Sequence, residues 1–167
     1  MQFLTLALTT LVSLASAAPT PVSNDPTPVL AKRFVEETPW HLANVRAFTA
    51  NPGPSGVSSF SFHFCDTNTG IELETECSRY LPPGSGRSPI DPDNYYPCNN
   101  NTVGFKYTGD ALYIQRSYHD LSVGQPPYDV VTAFGNSNVT FEVSSDEAGT
   151  TATAEAVEVP ITSLIAK

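Results

Sequence analysis

Along residues 57–159 apolar and polar side chains alternate with a period of two, and no segment shows a convincing helical period. Period two sends successive side chains to opposite faces of a pleated strand, so these runs predict strands. In Val57–Cys65, Phe60, Phe62 and Phe64 share one face, and Ser61, His63 and Cys65 share the other. In Ile71–Cys77, Glu72, Glu74 and Glu76 oppose Ile71, Leu73 and Cys77. Residues 103–107 group Val103, Phe105 and Tyr107, and residues 111–118 set Leu112, Ile114 and Arg116 against Tyr113 and Gln115. Val139–Val143 and Thr151–Val159 complete the set, and Pro160 ends the last run. Turn formers separate the runs at Asp66–Gly70, Thr108–Asp110, Gly124–Pro127 and Gly135–Ser137. Six to eight short strands predict an all-β fold, a single small antiparallel β-barrel or sandwich.

Composition agrees. The 167 residues hold 15 prolines and 16 Tyr plus Phe, which favour strands and turns over helices. That length supplies one domain once targeting segments are set aside. The formal net charge of −9 repels phosphate backbones and anionic lipid, so neither nucleic acid nor a membrane surface is an expected partner.

The first residues carry a different pattern. The apolar run Phe3–Leu14 is too short to span a bilayer and leads into Ala15-Ser16-Ala17, so 1–17 reads as a signal peptide cut after Ala17. Residues 18–33 contain four prolines and end in Lys32-Arg33, a dibasic pair of the kind fungal kexin-like proteases cut. They read as an extended pro-segment, leaving 34–167 as the mature β domain. That domain keeps six basic and sixteen acidic residues. The chain is expected to be secreted and extracellular.

Outside the cell cysteines oxidise, and there are three: Cys65, Cys77 and Cys98. Strand parity puts Cys65 and Cys77 on opposite faces, which opposes their pairing. Cys77 and Cys98 bracket an irregular stretch with five prolines, and a loop that long needs its ends tied. The expected staple is therefore Cys77–Cys98. Cys65 is left as a free thiol or as an intermolecular bridge that would make a dimer. Asn100-Asn101-Thr102 and Asn138-Val139-Thr140 are N-glycosylation sequons, so Asn100 and Asn138 are expected to carry sugar.

Catalytic chemistry is hard to find. His41, His63 and His119 lack metal-ligand spacing, and there is no serine-nucleophile elbow, phosphate loop or zinc-protease helix. No catalytic residue, metal or cofactor is expected. His63 and Cys65 share a strand face but read as two solvent-side residues. The Glu72, Glu74 and Glu76 stripe reads as a solubility device on an exposed face. Asp66, Asn68 and Glu72 lack the twelve-residue calcium-loop pattern and read as a hairpin. Asp91, Asp93, Tyr95 and Tyr96 form an acidic, aromatic cluster in the stapled loop, good contact chemistry for a protein or glycan partner. The plainer reading has Tyr95 or Tyr96 simply capping the core.

An ordered set of residues resembles the fungal secreted family typified by the major Alternaria allergen. Trp40 with Leu42 opens the domain, and Phe60–Phe64 with Asp66 looks like the family's first core strand and turn. Thr75-Glu76-Cys77 followed by Tyr96-Pro97-Cys98 resembles its disulfide-tied loop. Phe105–Tyr107, Leu112–Arg116 and Val159-Pro160-Ile161-Thr162 complete a pattern covering about residues 39–165. The resemblance implies a compact antiparallel β-barrel or sandwich, secretion, and host interaction of the allergen, elicitor and effector kind. It implies no general enzymatic activity. This chain lacks the founding allergen's C-terminal cysteine pair and its N-terminal dimerising cysteine, and Cys65 has no counterpart. The expected function is thus non-enzymatic binding at a host or cell-wall surface, to a host extracellular protein or glycan. The competing expectations are a small apolar-ligand carrier with a β-barrel interior and a cell-wall glycan hydrolase using Glu74 and Asp93.

Overall fold

The computed structural model describes residues 38–166. The signal-peptide cut at Ala17 and the Lys32-Arg33 site lie outside the described residues. Ten strands form two antiparallel sheets. The first sheet runs β3 (Leu73–Tyr80), β2 (Ser59–Asp66), β1 (Trp40–Ala50), β9 (Gly149–Val159) and β8 (Glu142–Ser145). The second runs β10 (Ile161–Ala166), β7 (Val130–Asn138), β6 (Ala111–His119), β5 (Val103–Tyr107) and β4 (Tyr96–Pro97). Their hydrogen-bond ladders do not join, so the architecture is a sandwich, not a closed barrel.

The phenylalanine face of β2 makes the core. Phe60 stacks on Tyr107 with ring centroids 4.5 Å apart, and Phe62 meets Phe105 edge-on at 5.1 Å, which locks one sheet onto the other. Leu112, Ile114, Val103, Trp40 and Val159 fill the rest. Cys77 of β3 and Cys98, just beyond β4, form a disulfide that ties an edge of one sheet to an edge of the other. Pro160 passes the chain from β9 to β10 and so from sheet to sheet.

One buried polar network closes an end of the sandwich. Arg116 faces inward beside Leu112 and Ile114 and pairs with the buried carboxylate of Asp66. Its guanidinium also donates to the Ile71 carbonyl. Asp66 accepts from the Trp40 indole N–H at 2.8 Å and from the Asn68 backbone and side-chain N–H groups at 2.8 Å. Asn68 in turn holds Thr38, accepting from its backbone N–H at 3.0 Å and its hydroxyl at 2.8 Å. The loop between β2 and β3 is thus the hairpin expected of Asp66–Gly70, and its polar residues brace the start of β1.

Three expectations need correcting. The described residues form ten strands, not six to eight. The Gly135-Asn136-Ser137 break lies inside β7, paired with Ile114, Tyr113 and Leu112. Glycine is needed there for close approach: a Cβ on Gly135 would sit 2.6 Å from the Pro160 carbonyl oxygen and 3.1 Å from the Trp40 ring. Finally, Val139–Val143 is not one strand. Val139 is buried and Phe141 packs edge-on against Tyr107 at 5.8 Å, but residues 139–141 make no ladder, and β8 pairs only through residues 142–145.

Candidate functional site

The outer face of the first sheet gathers several of the titratable residues singled out in the sequence. The register places Glu74 opposite Cys65, Cys65 opposite His41, and His41 opposite Glu158. In the next row Glu76 faces His63, whose Nδ1 lies 2.9 Å from Glu76 Oε1. The three glutamates of the stripe are exposed, as a solvated face requires. Among the described residues no group of three or more His, Cys, Asp or Glu side chains could hold a metal ion.

Cys65 is a thiol, half-buried, with Sγ donating to Glu74 Oε1 at 3.8 Å. Burial pushes its pKa up, and the charge and hydrogen bond of Glu74 push it further. Thiolate is the reactive form, so the raised pKa slows reaction of Cys65 as a nucleophile. At pH 8 iodoacetamide should label Cys65 more slowly than an unhindered thiol of ordinary pKa, and Glu74→Gln should speed the reaction. Labelling as fast as the free thiol, unchanged in the variant, would contradict this account.

The stapled-loop cluster divides in two. Asp91 is internally satisfied: it accepts from the Tyr96 hydroxyl, from Arg79 at 3.2 Å and from the backbone N–H groups of Asp93 and Asn94. The Tyr96 hydrogen bond, then the Asp93 amide, hold its carboxyl well below the usual carboxylate range. Tyr96 also lies under the Arg79 guanidinium, 3.9 Å from its ring centroid, and against Phe105. Asp91 and Tyr96 therefore fasten the loop between the sheets, and Tyr96 caps the core. Asp93 and Tyr95 remain for the surface.

Glu74 and Asp93 are not brought together. Glu74 points outward from β3, while the loop bearing Asp93 is anchored through Asp91 to Arg79, five residues further along that strand. Arg79 is about 17 Å from Glu74 along β3 and of opposite parity, so the two side chains leave opposite faces of the strand.

Tyr95 instead belongs to the outer face of the second sheet, with residues the sequence reading passed over. Lys106 of β5 pairs with Tyr113 of β6, and its Nζ lies 4.7 Å from the Tyr113 ring centroid and 5.2 Å from that of Tyr95. Burial, then Tyr113, raises the Tyr95 pKa, so its hydroxyl stays a donor. Beside Tyr95 is a cleft of about 260 Å³ floored by Gly104 and lined by Gln115, Asn101, Thr102 and Ser117. The signal was available: alternation sends Lys106, Tyr113 and Gln115 away from Phe105, Leu112 and Ile114. What alternation cannot give is that Tyr95, from an irregular loop, folds onto the same face. A wider, open cavity of about 710 Å³ lies where β8 leaves β9, lined by polar residues including Arg46, Glu142 and Glu155.

Both sequon asparagines are exposed. The Asn100 side-chain oxygen accepts from the Thr102 hydroxyl at 2.6 Å and its backbone N–H at 2.9 Å, leaving the Asn100 amide nitrogen outward. Asn138 ends β7.

No family model and no curated protein matches the sequence. Solved structures do match the fold. A crystal structure of the Alternaria alternata allergen Alt a 1 superposes with a TM-score of 0.51 at 12% identity, covering 76% of this chain and 87% of the allergen. A second crystal structure of that major allergen gives 0.50 at 13% identity, covering 78% and 95%. At that identity the likeness is one of fold, and at that level it supports the resemblance read from Trp40, Phe60–Phe64 and the cysteine-tied loop.

Proposed function

We propose that this chain is a secreted β-sandwich protein that acts by binding at a host or cell-wall surface, not by catalysis. The observation that carries the reading is the braced aromatic face of the second sheet, where Lys106 lies against the Tyr95 and Tyr113 rings on an otherwise solvent-facing surface. Tyrosine with a basic side chain is favoured contact chemistry, because a rigid ring gives area at small entropic cost. The pattern of residues 1–17 supports export, and exposed Asn100 and Asn138 suit an extracellular glycoprotein. The allergen-type fold supports the same setting. The carrier reading fares less well, because Phe60, Phe62, Phe105 and Tyr107 fill the space a barrel lumen would occupy.

Affinity capture tests the proposal. The secreted protein, immobilised, is exposed to extracellular extracts of a plant host and to fungal wall extract, with reduced and alkylated protein as the unfolded control. Material retained by the folded form alone is the expected result. Equal retention by both forms, or none by either, would count against a binding function.

A further inference from the structure

The cleft beside Tyr95 has a chemistry of its own. Its aromatic lining is Tyr95 and Tyr96; Tyr96 is tied down by Asp91 and Arg79, and the Tyr95 ring is steadied by Lys106, whose ammonium also lies over Tyr113. Its floor is Gly104, where a Cβ would press on the Gln115 amide at 3.0 Å, so a side chain there would crowd Gln115. Gln115 and Asn101 reach it from different elements, and neither side-chain amide has a hydrogen-bond partner among the described residues. Together they offer four N–H donors and two carbonyl acceptors. No carboxylate, ammonium or guanidinium lines the cleft, although the chain carries a net charge of −9.

An apolar ring face, unpaired amides and no ion match one class of ligand better than others. Among the lining residues a phosphate or sulfate would find no cation, and a basic peptide no anion. A hydrophobic peptide would bury the two amides unpaired, at about 1–3 kcal/mol each. A neutral pyranose sugar fits all three features: its C–H face lies on an aromatic ring while its hydroxyls both give and accept hydrogen bonds. We infer that this cleft is a binding subsite for a neutral oligosaccharide, with Tyr95 as the stacking platform and Gln115 and Asn101 as hydroxyl readers. The inference rests on the binding reading above and gives it a ligand class. Lys106 is a positioning residue, because it orients Tyr95 and does not line the cleft. The Asn100 sequon lies at the rim, beside Asn101, so the protein's own glycan must be trimmed before the cleft is probed.

Isothermal titration of the secreted, enzymatically deglycosylated protein tests this. The probes are hexasaccharides of β-1,3-glucan, β-1,4-glucan and chitin, with hexagalacturonate as the anionic comparison. At least one neutral hexasaccharide should bind, with little dependence on salt, and hexagalacturonate should bind less. Tyr95→Ala and Gln115→Ala should each weaken that binding tenfold or more while melting close to wild type, and Glu74→Gln on the opposite sheet should leave it unchanged. Lys106→Met should weaken binding less than Tyr95→Ala. The inference falls if no neutral probe binds at millimolar concentration, if hexagalacturonate binds best, or if Tyr95→Ala binds as wild type does. If capture from extracts still succeeds in those cases, the binding function stands and only the sugar assignment is lost.

Discussion

Asp66→Ala should destabilise the domain by about 3–5 kcal/mol, the cost of removing one partner from a buried ion pair. The reason is the number of groups that depend on one carboxylate. Arg116 loses its buried counter-charge, the Trp40 indole N–H loses its acceptor, and the Asn68 amides lose theirs. Asn68 then no longer fixes Thr38 at the start of β1. Urea unfolding of wild type and variant measures the loss. Asp66→Leu combined with Arg116→Met should recover part of it, because paired apolar replacement removes the stranded charge. Recovery should be incomplete, since the Trp40 N–H stays unsatisfied. A loss below about 1 kcal/mol for Asp66→Ala would show that water reaches this site and that the network is not what closes the sandwich.

Opening the Cys77–Cys98 bond should be the second large effect. The bond spans 21 residues of separation, and loop entropy at that length is worth about 3 kcal/mol. For a domain of this size that corresponds to a fall of roughly 10 °C in Tm. Cys77→Ala/Cys98→Ala is the suitable variant, because both cysteines are buried and serine would add an unsatisfied hydroxyl. The loop should not detach altogether. Arg79, Asp91 and Tyr96 form a second fastening a few residues away, so the loss should grow well beyond additivity when Asp91→Ala is added. A Tm unchanged within about 2 °C would mean that the polar fastening alone holds the two sheet edges together.

How legible these features were depends on whether alternation survives. In β2, β3, β5 and β6 it does, and the inward faces read from the sequence are the buried ones, including the inward position of Arg116. Composition does not say that this arginine has a buried partner, because Asp66 is fifty residues away and meets it only through tertiary packing. In β1 alternation fails. Leu42 and Val45 are both buried although three residues apart, because Asn44, at φ 55°, is the extra residue of a bulge opposite Phe62. That shift hid an eleven-residue strand at the centre of its sheet. In β7 a Gly-Asn-Ser run that reads as a turn is held extended by β6 along its whole length and by β10 at Gly135. For the candidate site, strand parity was enough to place Lys106, Tyr113 and Gln115 outward. The position of Tyr95 depends on the Asp91–Tyr96 fastening, which no local pattern encodes.

The central claim is that binding runs through the outer face of the second sheet, and one comparison tests it directly. Tyr95→Ala/Tyr113→Ala and Glu74→Gln/Glu76→Gln proteins, both checked for wild-type melting, are immobilised and exposed to the same host and wall extracts as wild type. Retention lost from the tyrosine variant and kept by the glutamate variant is the predicted result. Retention kept by the tyrosine variant and lost from the glutamate variant would move the binding surface to the opposite sheet and contradict the account.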